Sequence, residues 1–450
     1  MPTANDLLTR WPGLDIALRR DRLQPGFQQT AGRLAPHLPA FQAAAARAVA
    51  GLWNREPSLW SSDAEVQGKI ANRLGWLTSP ALMADQLDAL TRFAASVRDA
   101  GFTDVVLLGM GGSSLAPEVL RTVIGSGPQG LRLHMIDSTD PAAVLAIDTD
   151  IRKTIYIFAS KSGTTIEPNS LYGYFRSGLE NAEIKPWASQ FIAVTDDGTE
   201  LAFNAKRRRF REIFINPTDI GGRYSAISFF GMVPAALMGQ DVAAIVGWAL
   251  AMLASTEPGR VDVAEHSAFA LGIAMAAGAR HGHDKLTLLV PPGLEAFGLW
   301  VEQLVAESTG KQGVGVVPIA GETLAGPEAY GADRAFVRLR DSQGASEASR
   351  DAAWAALSNF PTLALDFAEP AALGAEFMRW EIATAVAGAL LGVNPFDEPN
   401  VQTAKDATNA LLRRHASDGR LPVAAPDAEL PGGITLTLSQ AAKAALACKR

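Results

Sequence analysis

Cysteine is nearly absent from this chain. Cys448 stands alone among 450 residues, which excludes an internal disulfide and any multi-thiolate metal site and fits a reducing compartment. Histidine is also scarce, and the six present give no zinc spacing. His281 and His283 fall in the polar turn RHGHD ahead of a strand, where capping the preceding helix is the expected role. No metal is expected. Positive charge is not in excess, since 40 Lys and Arg face 47 Asp and Glu for a net charge of −7. That balance argues against a nucleic-acid partner, so an anionic substrate must be held by local field. The short basic run Lys206 to Arg209 reads as a solvated loop beside a strand. A long uninterrupted apolar run is missing as well. Phe229 to Leu253 is broken by Pro234 and by Gln240-Asp241, which suits two buried helices better than a membrane span. The amino-terminal MPTANDLLTRW lacks the apolar core of a signal peptide. A cytoplasmic protein with no membrane partner is the expectation.

What the chain has is length and rhythm. At 450 residues with 48% hydrophobic and 19% charged side chains, it should form more than one core. Residues 1–95 read as a helical amino-terminal extension without a convincing strand. From Asp104, apolar β-branched runs alternate with helical patterns: DVVLLG, LRLHMID, TIYIFAS, FIAVTD and EIFINP. This alternation predicts an α/β fold with parallel strands and helices on both faces. The polar break Ser255 to Asp262 marks a boundary. A second α/β set follows, with strands KLTLLVPP, GVGVVPI, FVRLR and TLALDF and two long helices at Ala371 to Leu391 and Val401 to Arg414. The expected organisation is 1–95, then 96–256 as a first α/β domain, then 257–450 as a second.

Four segments could carry chemistry. Ser160-Lys161-Ser162-Gly163-Thr164-Thr165 joins a buried strand to a helix. It reads either as a capping box from Thr164 to Glu167 with Pro168 in the first turn, or as a phosphate cradle of hydroxyls, an ammonium, free N–H groups and a helix dipole. Gly109-Met110-Gly111-Gly112-Ser113-Ser114 misses the dinucleotide-binding spacing, because Ser114 takes the third glycine's place. Gly111 and Gly112 make a tight turn or admit a small ligand close to the backbone, with Ser113 adding a hydroxyl. Gly221-Gly222-Arg223 places a guanidinium at a glycine-rich turn, to stabilise an oxyanion or to form a surface salt bridge. In the helix Leu294 to Gly310, Gln303 and Glu307 share one face. Glu307 lies in the last turn, as a proton base or as a solvated glutamate.

The motifs GMGGSSLAP, SKSGTTIEP, INPTDIGGRYSAIS, VEQLVAESTGK and NPFDEPNVQTAK run in this order from residue 109 to 405. In order and spacing they resemble phosphoglucose isomerase. The amino-terminal segments LWNREPSLW and IANRLGWL look most like the isomerase half of bacterial bifunctional transaldolase/phosphoglucose isomerases. A transaldolase barrel would need roughly 250 further residues, so that activity is not expected here. The resemblance implies two sugar-isomerase (SIS) domains of flavodoxin-like type. It also implies cofactor-free interconversion of glucose 6-phosphate and fructose 6-phosphate, a step of glycolysis and gluconeogenesis, through a cis-enediolate. Carried over by residue, it makes Ser160, Lys161, Ser162 and Thr165 phosphate ligands and places Gly112, Ser113, Gly222 and Gln303 around the sugar. Arg223 then steadies the enediolate, Glu307 moves the proton and Lys405 acts in ring opening.

Two positions depart from the family pattern. The family's dimer donates a histidine from its partner subunit, whereas the matching segment here is Asp333-Arg334-Ala335-Phe336. No histidine lies between His283 and His415. Arginine stays charged and shuttles protons poorly, so a homodimer is possible without being required. Glu398 stands where the family often has glutamine. The competing class is a non-catalytic sugar-phosphate-binding regulator on the same domains, which would keep the cradle but need no base. A nicotinamide dehydrogenase is disfavoured by the glycine spacing.

Overall fold

The computed structural model describes residues 1–23, 26–341 and 348–447. Cys448 lies outside the described residues. The chain divides into two compact units, Met1–Phe396 and Asp397–Arg450.

The first unit is built on two five-stranded sheets. In chain order its strands are β1 (Phe27–Thr30), β2 (Asp104–Leu108), β3 (Arg132–Ile136), β4 (Thr154–Ala159), β5 (Phe191–Asp196), β6 (Glu212–Asn216), β7 (Lys285–Leu289), β8 (Val317–Ile319), β9 (Arg334–Asp341) and β10 (Thr362–Phe367). One sheet has the order β3-β2-β4-β5-β6 and is parallel throughout. β2, β4 and β5 are buried along their whole length, which is why they read as apolar runs rather than alternating ones. Numbered within the sheet the order is 2-1-3-4-5, the flavodoxin-like winding. The other sheet runs β1-β10-β9-β7-β8. Its four later strands are parallel and repeat the 2-1-3-4 part of that order.

The fifth place is filled from the amino-terminal segment. β1 pairs antiparallel with β10, Phe27 opposite Leu365 and Thr30 opposite Thr362. The sequence reading had no strand in this region, because FQQT has neither apolar alternation nor a β-branched run, and its half-exposed pattern is what an edge strand shows. The remainder of the segment is helical, with the helices Leu38–Trp53 and Ser79–Asp99 the longest.

Phe229 to Leu253 forms two helices, Phe229–Leu237 and Val242–Ser255, the second capped by the Asp241 carboxylate. Both are almost wholly buried. Among the described residues no helix is long and apolar enough to cross a membrane. One expectation needs correcting. Lys206, Arg207 and Arg208 are the last turn of the helix Glu200–Arg208, with Arg209 as its left-handed cap, so the basic run complements a helix dipole rather than decorating a loop. His281 does cap the helix Ser267–Arg280 through its backbone.

The second unit contains the helix Pro399–Asp418, a small antiparallel pair of Ala428–Leu430 with Ile434–Leu436, and the helix Gln440–Ala447.

Candidate active site

In a parallel sheet of this winding, ligands sit beyond the carboxyl ends of the strands where the order reverses. In the first sheet that point lies between β2 and β4, and the turns that follow these strands are Gly109–Ser114 and Ser160–Thr165. The second turn is wound by its own side chains. Ser160 is buried, and its hydroxyl accepts from the Gly163 N–H at 3.1 Å and faces the Thr165 hydroxyl at 3.2 Å. Gly163 has φ +68°, a conformation that favours glycine. Ser162 is exposed and bonds the Thr164 hydroxyl at 3.0 Å. Thr165 is the N-cap of the helix Ile166–Asn181, yet its side chain makes no capping bond. The N-cap is Thr165 rather than Thr164, whose N–H donates to the Ser162 hydroxyl at 3.3 Å, so the expected capping box from Thr164 to Glu167 is not formed. The Ile166 and Glu167 N–H groups receive no cap from the Thr165 side chain.

Lys161 reaches from this turn to the neighbouring strand. Its ammonium is paired with Asp196 at the end of β5 and also reaches the Thr218 carbonyl at 3.3 Å. Burial raises the Asp196 carboxyl above its ordinary range, against the pull of Lys161. Sequence reasoning missed Asp196, although its place as the last residue of a parallel strand beside the cradle could have flagged it.

The turn after β2 is pressed against the turn that carries Arg223. A Cβ on Gly112 would lie 2.2 Å from the Gly222 carbonyl oxygen and 2.8 Å from the Arg223 nitrogen. Only a glycine lets the two backbones approach so closely. The Ser225 hydroxyl donates to the Gly222 carbonyl at 2.6 Å and lies 3.4 Å from the Gly112 carbonyl. Ser113 is buried in the same turn. Gly111 has φ +53°, and its Cβ position is 2.8 Å from Gln303 Nε2. Gln303 Oε1 is buried with no protein partner among the described residues, so the amide packs on the glycine turn with an acceptor left over.

Arg223 is fixed from three sides. Its Nε donates to the Ser308 hydroxyl at 2.7 Å, Nη2 donates to the Pro395 carbonyl at 2.7 Å, and Nη1 lies 3.2 Å from Glu307 Oε1. Its side chain is 2% exposed, whereas that of Glu307 is 28% exposed. The arginine is thus a buried, oriented cation and the glutamate faces the opening. Tyr224 is buried beside them, its hydroxyl 3.3 Å from Ser308 Oγ, and burial pushes its phenol well above the usual range. Its ring packs on Trp76 and Phe396 with centroids 5.2 Å away in each case.

Glu307 and Ser308 end the helix Glu295–Thr309. Phe297, Trp300, Val301, Leu304 and Val305 bury the other face of that helix, and this pins the end that carries the carboxylate. Ser308 and the Pro395 carbonyl were not singled out from sequence. Ser308 follows Glu307 directly, but a hydroxyl in a helix has no signature that marks it as an arginine's partner.

A family model for phosphoglucose isomerase matches residues 91–250. A glucose-6-phosphate isomerase from Rubrobacter xylanophilus is 30% identical over 383 residues, 73% of this chain and 87% of that protein. One from Citrifermentans bemidjiense is 27% identical, over 75% of this chain and 74% of its own. The chain belongs to the phosphoglucose isomerase family.

The fold agrees. A crystal structure of a glucose-6-phosphate isomerase from Chlamydia trachomatis superposes with a TM-score of 0.63 at 21% identity, covering 92% of this chain and 86% of that one. A hypothetical protein from Thermus thermophilus superposes with 0.69 at 23% identity, covering 86% and 99%. Within this phosphoglucose isomerase family chain, Arg334 begins β9 and is held in an ion pair. Its Nη1 donates to Glu322 at 2.6 Å and to the Thr287 hydroxyl at 2.6 Å, and its Nη2 to Glu322 at 3.1 Å. Lys405 belongs to the second unit, where it is exposed on the helix Pro399–Asp418. Glu398 is the N-cap residue of that helix.

Proposed function

We propose that this chain interconverts glucose 6-phosphate and fructose 6-phosphate as an aldose–ketose isomerase, with Glu307 as the proton-transfer base and Arg223 as the enediolate stabiliser. The carrying observation is the buried Arg223 guanidinium, oriented by Ser308 and Pro395 and 3.2 Å from the half-exposed Glu307 carboxylate. A regulator that only bound sugar phosphates would have no use for such a pair.

In this reading the phosphate dianion lies on Ser160, Ser162, Thr165 and the open amino end of the following helix. Lys161 is positioned there by Asp196. Binding energy from this non-reacting group then sets C1 and C2 of the open-chain sugar against Glu307. The carboxylate takes the proton from C2. The C–H electron pair forms the C1=C2 bond and the aldehyde oxygen becomes the oxyanion. The O2 proton passes to O1, Glu307 returns its proton to C1, and the carbonyl is now at C2. Arg223 already carries its charge in place, so little reorganisation is needed as the oxyanion develops. Gly112, Ser113, Gly222 and Gln303 line the sugar.

Ring opening is left to Lys405, to water or to spontaneous opening of the sugar, because Arg334 stays charged and is engaged with Glu322. A cytoplasmic location belongs to the same proposal, as does the organisation into residues 1–95, 96–256 and 257–450, and a homodimer is compatible with it without being required. The test is Glu307→Gln, followed by converting fructose 6-phosphate to glucose 6-phosphate in a coupled dehydrogenase assay. Turnover should fall at least ~100-fold while substrate binding is retained. Near-normal turnover in this variant sinks the assignment.

A further inference from the structure

The amino-terminal segment reaches the site at one residue whose chemistry the mechanism above does not use. Leu74 forms an antiparallel bridge with Ile220, and the Gly75 N–H donates to the Asp219 carbonyl at 2.9 Å. This register sets Arg73 opposite Gly221, two residues before Arg223. A Cβ on Gly221 would lie 3.9 Å from Arg73 Cδ, so the arginine's stem runs over the turn that carries the enediolate stabiliser. The pairing cannot slide easily. Leu74 and Trp76 are buried on either side, Trp76 packs on Tyr224, and a Cβ on Gly75 would strike the Asp219 carboxylate at 2.1 Å.

The stem is fixed but the head is not enclosed. Arg73 is half-buried. Its guanidinium donates to the carbonyl of the neighbouring Asn72 at 2.8 Å, which leaves most of its five N–H donors without a hydrogen-bond partner among the described residues. Its charge also acts on Asp196, the carboxylate that holds Lys161 at the mouth of the cradle. Lys161 reaches the Thr218 carbonyl at 3.3 Å, so Arg73 and Lys161 both meet the short Thr218–Gly221 segment.

The local charges do not cancel. Arg55 pairs with Asp219 and Lys161 with Asp196. Two carboxylates face two cations, and Arg73 is the third cation of the group. A positive charge on a fixed stem, with free donors beside the same segment that Lys161 contacts, suits a phosphate dianion.

We propose that Arg73 is a substrate-binding residue that presents its guanidinium to the phosphate end of the sugar phosphate. This deepens the isomerase reading and rests on it. Arg73→Gln should raise the KM for fructose 6-phosphate and the inhibition constant for inorganic phosphate together, each by about tenfold or more, the usual worth of a charged hydrogen bond. Turnover should stay within about twofold of the parent, since the contact is with a non-reacting group. Arg73→Lys keeps the charge and should recover part of both losses. A purely structural arginine would lower the melting temperature and leave the inorganic-phosphate constant unchanged, and that result overturns the proposal. Turnover lost in both variants with phosphate affinity intact overturns it too. The isomerase reading fails separately, if the parent protein does not turn over fructose 6-phosphate. In that event calorimetry of inorganic phosphate on parent and Arg73→Gln still decides the role of Arg73.

Discussion

The two sheets of the first unit repeat one winding but serve the site from opposite ends. The first sheet uses its switch point, where the turns after β2 and β4 make the glycine turn and the hydroxyl cradle. The second sheet supplies Glu307 from the far end of the helix that follows β7. A crossover helix runs back along its strand, so the carboxylate lies at the amino-end level of that sheet. The crevice rule for open α/β sheets therefore points to the proposed phosphate turn but not to Glu307. The two contributions also differ in how they are held. The cradle is partly exposed, with hydroxyls that bond one another and can turn towards a ligand. Arg223 is buried, with Ser308, Pro395 and Glu307 among its oriented partners.

If that contrast is right, changes on the Arg223 side should strike turnover and changes in the cradle should strike binding. The largest effect is expected for Arg223→Lys. An ammonium cannot reach Ser308, Pro395 and Glu307 together, and losing an oriented oxyanion donor costs on the order of 100- to 1,000-fold in turnover. A loss confined to KM would break the comparison, since Arg223 would then be only a binding residue.

Gly112→Ala tests whether the two regions must touch. Its added carbon would lie 2.2 Å from the Gly222 oxygen, so the turns have to separate. A displacement of about 1 Å at this contact should lower kcat/KM on the order of 100-fold, through both kcat and KM. Unchanged kinetics would mean that the contact between the turns is incidental. Ser162→Ala should have a smaller effect. Its hydroxyl is exposed and bonds only Thr164 among the described residues, so folding should be untouched. The KM for fructose 6-phosphate should rise by about tenfold or less, with kcat preserved. A fall in kcat at constant KM would overturn the division of labour.

The same asymmetry governs what could be read from the chain. The first sheet was legible because buried parallel strands read as unbroken apolar runs, and the turns after β2 and β4 announce themselves through glycine and serine. The helix Glu295–Thr309 was legible through its apolar face and through the resemblance of VEQLVAESTGK. β1 was not, because an edge strand of Phe-Gln-Gln-Thr is stabilised by pairing with β10 rather than by its own pattern. The contacts that orient the site, Ser308 and the Pro395 carbonyl on Arg223 and Asp196 on Lys161, join residues 85, 172 and 35 positions apart. No local spacing encodes such partners. The shift of the N-cap from Thr164 to Thr165 was equally invisible, since two adjacent threonines ahead of Ile166 offer the same capping chemistry.

The smallest expected effect separates stability from either function. His266 is buried away from Glu307 and the cradle in sequence, its Nε2 bonds the Ser255 hydroxyl at 2.9 Å, and burial lowers its pKa to about 3, with the Arg379 charge acting in the same direction. The folded state thus keeps this imidazole neutral where the unfolded chain, near its ordinary value of about 6.5, takes up a proton. Its contribution to stability is complete above pH 6.5 and is lost progressively as the pH falls from there towards 3, at up to about 1.4 kcal/mol per pH unit. Between pH 7.5 and 5.5 the parent should lose on the order of 1 kcal/mol through this group, read by urea unfolding as a difference from His266→Asn. The variant should lack that part of the acid slope. At pH 7.5 its kcat, and its KM for fructose 6-phosphate, should both match the parent, because neither the cradle nor Arg223 touches His266. If His266→Asn shifts KM, the cradle is coupled to the core around Ser255 and Phe269, and the two regions are less independent than their separate fastenings imply.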